Sequence, residues 1–351
     1  MNSKEEDAPP HLKIGNISVI LVNSPKSEEF VINNRSQRLN IKSYWPPEGQ
    51  NLKGVIIGLH GYASHIGRPT HRYLGESFNK EGYGYVTLDF HAHGHSEGIE
   101  RGFVESPNDL VDDVLSLLFH LFSSHVCNLK KVDIQLPFYL LGHSMGGGTA
   151  LLVSQIISEC KLSEFSTPFA LVNMDRIAYL QKFFNGCMLF CPVVQLTRMT
   201  AVHTFLVAPL SKLFPSYSFP KWLFDESESN HHNWANHDYI RYIESDGYPH
   251  NANGLSYGSN ICFATLNSLF ELANHTQKIM TSSKFPFIVF HDPEEKCLSF
   301  EGSLMFYNNS PSQNKTLVRV ENGLHDIIAN KLDFASHECL CWLDKQKYKV
   351  L

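Results

Sequence analysis

No stretch of this 351-residue chain approaches the run of about 18 apolar residues that a membrane-spanning helix requires. The best candidate, Thr204 to Leu210, is short and contains a proline. The first ten residues are charged, end in two prolines and hold no apolar segment, so no secretory signal is expected there. Basic residues are not in excess. There are 29 Lys and Arg against 35 Asp and Glu, a net charge of -6, which leaves no electrostatic footprint for nucleic acid. The 8 cysteines form no Cys-x-x-Cys pair, and several, such as Cys187 and Cys191, fall in apolar segments. Reduced core thiols and a cytoplasmic setting are the expectation. Internal repeats and low-complexity runs are also missing.

What is present is enough apolar material for a large core: 43% of residues are hydrophobic and 18% charged. Strand-like runs occur at 17–22, 38–45, 53–60, 83–90, 137–141, 186–194, 285–291 and 315–321. Several are continuously apolar, as in Val55-Ile56-Ile57-Gly58-Leu59, which suits strands buried on both faces of a parallel sheet. Helical spacing appears between them at 70–80, 107–122, 147–160 and 327–345. The alternation predicts a doubly wound α/β fold, mostly parallel, with about eight strands. Two segments interrupt it. Residues 161–185 exceed a simple connection, and residues 196–283 far exceed an ordinary loop. The second is aromatic and broken by prolines, and reads as an inserted helical cap. The expected division is a flexible tail over 1–16, a core over 17–195 and 284–351, and the cap over 196–283.

The sharpest motif is Gly142-His143-Ser144-Met145-Gly146, a G-x-S-x-G element between an apolar strand and a helix-spaced run. In that context it forms a nucleophile elbow. The turn strains the backbone at the serine, and side chains at 142 and 146 would collide with the neighbouring strand and helix. Ser144 is then held above the sheet's carboxyl edge, at a helix N-terminus that favours developing negative charge. A serine hydroxyl needs a histidine base, and the histidine an orienting carboxylate. The order Ser, Asp/Glu, His is met by Asp292-Pro293-Glu294-Glu295 after one strand and Asn322-Gly323-Leu324-His325 after the next. His325 is the candidate base, and Asp292, Glu294 and Glu295 remain candidates for the acid. The oxyanion donors are expected to be the backbone N–H groups of Met145 and of Tyr62, in His60-Gly61-Tyr62-Ala63.

His60-Gly61-Tyr62-Ala63-Ser64-His65, Asp89 through Ser96, Gly142 through Gly147, Phe103-Val104-Glu105 with Leu110 through Val114, Tyr257-Gly258 and Gly323-Leu324-His325 together resemble the monoglyceride lipase group of α/β hydrolases, the lysophospholipase or serine-aminopeptidase-like branch. The stretches span roughly residues 40–345. The resemblance implies the α/β-hydrolase fold. It also places the acid, usually Asp in a Gly-x-x-Asp stretch, at Glu295. A glutamate is one methylene longer, so its backbone must sit further back. Two other departures are Ala92, where the group usually has glycine, and His91, where it usually has arginine.

His91, His93 and His95 alternate along the chain in a way that can hold a metal, but no carboxylate or cysteine partner is evident in the sequence. His231-His232 read as surface residues of the cap. The chemistry needs neither cofactor nor metal. The resemblance and the apolar cap imply a serine hydrolase acting on monoacylglycerols or lysophospholipids through an acyl-enzyme. Leu213, Phe214, Trp222 and Leu223 are expected to line an acyl tunnel and to make peripheral contact with a bilayer. A small-ester or thioester hydrolase, an acyltransferase, and an inactive lipid-binding relative stay open at this point.

Overall fold

Eight strands form one sheet: β1 (Phe30–Ile32), β2 (Arg38–Tyr44), β3 (Gly54–Leu59), β4 (Tyr83–Leu88), β5 (Phe138–His143), β6 (Phe184–Phe190), β7 (Phe287–His291) and β8 (Lys315–Arg319). The computed structural model describes residues 11–14, 17–20, 29–122, 136–160, 167–197, 201–218, 233–248 and 251–347. The strand order is β8-β7-β6-β5-β3-β4-β2-β1. β1 and β2 pair antiparallel, as do β2 and β4, and every other neighbour is parallel. This is the α/β-hydrolase fold.

The apolar runs dictate this arrangement. β3 and β4 are buried at every position, which only a sheet covered on both faces allows. Their side chains alternate between two cores. Val55, Ile57 and Leu59 pack with residues of α2 (Pro107–Leu121) and α3 (Met145–Glu159). Ile56 faces the other way, toward Leu74 and Phe78 of α1 (Pro69–Lys80) and Ala335, Cys339 and Trp342 of helix Leu332–Lys347. α2 starts where its sequence says it should: Pro107 opens it and the Ser106 hydroxyl accepts the Asn108 amide. Such a cap contributes about 1 kcal/mol.

Because β3, β5, β6, β7 and β8 run parallel, their following loops gather on one edge, where α/β sheets place their chemistry. The loops at 60–66, 144, 292–299 and 320–326 are therefore neighbours.

Two expectations need correction, and two features go beyond the sequence reading. The run at 17–22 does not join the sheet: Ile17–Ile20 pairs with His11–Ile14 in a separate two-stranded hairpin, so the stretch expected as a tail contains a strand. The edge strand β1 was not predicted from sequence. Residues 161–185 contain two helices, Pro168–Leu171 and Met174–Gln181. Finally, helix Phe263–Ile279, expected in the cap, packs as a core layer. Leu266, Leu269, Leu272 and Ala273 share the cluster of α2 and α3, and Thr276 Oγ1 and Gln277 Nε2 donate to the Val193 and Val194 carbonyls at 3.0 and 2.7 Å.

The rest of 196–283 that the structure describes holds helix Ala201–Leu213, helix His237–Ser245, and the short parallel pair Gly247–Tyr248 with Ser256–Tyr257. The strand pair and the end of helix His237–Ser245 are tied to the loop after β3. His65 Nε2 lies 2.8 Å from Asp246 Oδ2, and the Tyr257 amide donates to the Ala63 carbonyl at 3.1 Å. Among the described residues no helix is long and apolar enough to cross a membrane.

Candidate active site

Ser144 stands between β5 and α3 with φ 53 and ψ -115, a left-handed conformation that L-residues rarely hold. Such strain costs on the order of 1–3 kcal/mol and persists only where the surroundings enforce it. Here they do. The Ser144 amide donates to the Phe190 carbonyl at 2.9 Å, and its carbonyl accepts from Gly148 and Val193 at 3.0 and 3.1 Å. A Cβ at Gly142 would lie 2.4 Å from the Gly146 carbonyl oxygen, and one at Gly146 would lie 2.3 Å from that of Leu59. Both glycines are thus required by close backbone approach.

His325 arrives from the loop after β8. Its Nε2 is 3.0 Å from Ser144 Oγ, and its Nδ1 is 3.3 Å from Glu295 Oε1. The three acid candidates separate by position. Glu295 is buried and faces His325, with Oε1 accepting the Leu298 amide at 2.8 Å and Oε2 accepting the Cys297 amide. Glu294 is exposed. Asp292 is buried but differently engaged: Oδ2 accepts the Leu324 amide at 2.7 Å and Oδ1 the Glu294 amide at 2.9 Å. Asp292 therefore clamps the acid loop to the histidine loop, where Asn322 and Leu324 both take positive φ.

The electrostatics follow from this packing. Burial by itself would raise the Glu295 carboxyl, but His325 and His291 overcome it and bring it down to about 2. Burial opposes the charged form of His325 too, yet the facing Glu295 raises it above the ordinary histidine value. A second histidine, His291, places Nε2 3.4 Å from the same Glu295 oxygen, with Nδ1 2.7 Å from Ser303 Oγ.

Two histidines that sequence reasoning passed over also shape the site. His143 Nε2 donates to the His325 carbonyl at 3.1 Å, and burial brings its ring down to about 4, so it stays neutral. His60 accepts the Phe90 amide at Nε2, 3.0 Å away, which leaves the proton on Nδ1 to donate to the Gly61 carbonyl at 2.7 Å. In a trans peptide the C=O and the following N–H point oppositely. Holding the Gly61 carbonyl therefore aims the Tyr62 N–H away from His60. A Cβ at Gly61 would lie 3.2 Å from Ser144 Cβ, so this loop passes directly beside that serine. Met145 is the first residue of α3 on its other side. Spacing alone marks neither histidine. Only the fold brings them to these partners.

The remaining sequence candidates fall as follows. Leu213 is 70% and Phe214 47% exposed, so they face outward and do not line an enclosed tunnel. Trp222, Leu223, His231 and His232 lie outside the described residues. His91, His93 and His95 do not converge. His91 Nδ1 lies 2.7 Å from Asp113 Oδ2, a carboxylate partner the sequence did not reveal, and His93 Nδ1 lies 2.9 Å from the His91 carbonyl. Asp113 also pairs with Arg35 at 2.7 Å, so an arginine from another segment reaches the carboxylate beside His91. Ala92 has φ 60, which accounts for glycine being usual there.

The sequence matches the serine aminopeptidase S33 family of hydrolases over residues 50–163 and 170–331. It is 24% identical to the monoglyceride lipase of Rattus norvegicus over 305 residues, 86% of this chain and 85% of that protein. The human monoglyceride lipase is 25% identical, with 86% of each chain covered. Among solved structures, the Paleococcus ferrophilus monoacylglycerol lipase superposes with a TM-score of 0.63 at 19% identity, covering 88% of this chain and 99% of that one. A Saccharomyces cerevisiae monoglyceride lipase bound to a substrate analog gives 0.65 at 16% identity, covering 92% and 96%. At these identities the superpositions speak to the fold, while the family match covers most of the chain. With its serine on a strained elbow and the fold of its relatives, the chain belongs to the serine aminopeptidase S33 family of α/β hydrolases.

Proposed function

We propose that this carboxylic ester hydrolase works through an acyl-enzyme on Ser144, and that its substrates are monoacylglycerols or lysophospholipids. The observation that carries the reading is the single line of contacts from Ser144 Oγ through His325 to Glu295, at 3.0 and 3.3 Å. Ser144 Oγ attacks the ester carbonyl while His325 Nε2 takes its proton. The Tyr62 N–H, from the loop after β3, and the Met145 N–H, at the N-terminal end of α3, receive the oxyanion. As the tetrahedral species collapses, His325 returns that proton to the leaving alcohol, and Ser144 keeps the acyl group. A water then gives its proton to His325, attacks the acyl carbon, and releases the acid and a reprotonated serine. Glu295 remains ionised throughout and holds the imidazole's Nδ1 proton toward itself.

The substrate class rests on the monoglyceride lipase relatives and on the exposed apolar strip Leu206, Leu213, Phe214 and Tyr217 at and just after helix Ala201–Leu213. Such a strip suits peripheral contact with a lipid surface. The test is fluorophosphonate labelling together with a hydrolysis screen across acyl lengths and head groups. Ser144→Ala is expected to abolish labelling and to reduce kcat by at least about 10³-fold. Full labelling of that variant would remove Ser144 as the nucleophile. Short soluble esters outrunning monoacylglycerols and lysophospholipids in the native protein would remove the lipid reading.

A further inference from the structure

One donor set beside the serine adds to Glu295 and His325 a group that the reaction described above does not use, the Cys297 thiol. Glu295, Cys297 and His325 each bring one ligand atom to within 4.8 Å of the others. A second set, Cys191, His291 and Glu295, shares the same carboxylate, but all three of its members are buried. The first set is the reachable one: Cys297 is half-buried and the His325 side chain is 12% exposed.

The geometry points to a divalent-metal site on Glu295, Cys297 and His325 that turns the hydrolase off when filled. The donors are one carboxylate oxygen, one thiolate sulfur and one imidazole nitrogen. That mixture selects zinc or cadmium over magnesium or calcium, which prefer oxygen alone. Tetrahedral zinc, with bonds of about 2.0–2.3 Å, sets its donors roughly 3.3–3.8 Å apart. Glu295 Oε1 and His325 Nδ1 are already at 3.3 Å. The Cys297 sulfur lies within 4.8 Å of a ligand atom of each, and a side-chain rotation must close the remaining gap. Asn233 Oδ1, now 3.0 Å from Cys297 Sγ, is a neighbouring fourth oxygen.

The proton accounting gives the consequence. Cys297 releases its thiol proton to solvent as the sulfur–metal bond forms. The neutral imidazole keeps one proton, but Nδ1 now binds the metal, so that proton moves to Nε2. An Nε2 that carries a proton cannot accept one from Ser144 Oγ. The base is lost while Ser144 and the elbow stay intact. The switching half of the inference rests on the serine hydrolase reading, whereas the binding half does not.

The experiment uses the purified full chain in metal-free buffer. Cadmium is titrated while the thiolate-to-cadmium charge-transfer band is recorded. In parallel, zinc is titrated against hydrolysis of a short soluble ester and then removed with a chelator. The native protein is expected to show the band, to lose activity with zinc and to regain it with chelator. Cys297→Ser is expected to keep its basal activity, to lose the band, and to need at least about tenfold more zinc for the same inhibition, with Cys297→Ala as the second variant should serine impair folding. Ser144→Ala is expected to retain the band, since it contributes no ligand. A band of equal strength in both Cys297 variants would place cadmium elsewhere, for example on the exposed Cys341–His337 pair, whose Sγ and Nε2 are 3.4 Å apart, and would overturn the site. Equal zinc sensitivity in the native and Cys297 proteins would overturn the switch. If the chain hydrolyses no ester, the hydrolase reading fails, and the cadmium band in the native and Ser144→Ala proteins still decides the site.

Discussion

The carboxyl edge of the sheet and the outer face of helix Ala201–Leu213 are built on opposite terms. At the edge every candidate group is held by named partners: Glu295 takes two backbone amides besides His325, and Asp292 takes two more. On the outer face of that helix and just after it, Leu206, Leu213, Phe214 and Tyr217 are 50%, 70%, 47% and 69% exposed. The contrast follows from what each region has to do. A proton relay works only at fixed distances, so its geometry must be paid for in strain and burial before substrate arrives. An apolar contact surface needs area, and almost any apolar side chain supplies it.

The largest effect that separates the two regions is on stability. Leu140 is fully buried in β5, in the strand that leads into the elbow. Leu140→Ala is expected to cost about 2–5 kcal/mol, because it leaves a cavity that the sheet cannot close. Leu213→Ser is expected to stay within about 0.5 kcal/mol of the native protein. Chemical denaturation of both variants checks this. Equal losses would mean that the exposed strip is part of the core.

A smaller effect is expected on activity. The double variant Leu213→Ser, Phe214→Ser should reduce hydrolysis of long-chain monoacylglycerol in vesicles several-fold, with turnover of a monomeric short ester held within about twofold. Vesicle and solution assays run side by side measure the ratio. An equal loss on both substrates would make the strip a support for the site and not a contact surface.

The same contrast explains what the sequence made legible. Ser144 and His325 could be read because the chemistry fixes their residue types, their order and their strand-to-loop setting. Glu295 followed from resemblance, since the loop offers three carboxylates and spacing alone does not choose among them. The positioning work of Asp292, His143 and His60 was hidden. Each acts through a backbone group, in most cases one brought near only by the fold, and such partners leave no sequence pattern. β1 escaped because it has three residues, with Phe30 and Ile32 both exposed, too short for periodicity to register. Helix Phe263–Ile279 falls within the 196–283 insertion by sequence and yet packs in the core layer, because an apolar face does not name what it packs against. The outward orientation of Leu213 and Phe214 was missed for the same reason.

The central claim is that Glu295, and neither of its neighbours, orients His325 for Ser144. The measurement is kcat/KM for a soluble ester from pH 5 to 9 in the native protein and in Glu295→Gln, Asp292→Asn and Glu294→Gln, with folding checked by circular dichroism. The base must be neutral to accept a proton. Since Glu295 raises His325, the native activity should rise with pH along a limb above about 6.5. Glu295→Gln removes that raising charge and leaves burial, so its residual limb should move below the native one, with the rate down by at least about 10³-fold. Asp292→Asn should lose on the order of tenfold and keep the native limb, because it loosens the histidine loop without touching the imidazole. Glu294→Gln should stay within about twofold. A loss in Glu294→Gln or Asp292→Asn that exceeds the loss in Glu295→Gln, or a native profile flat from pH 5 to 9, would contradict the account.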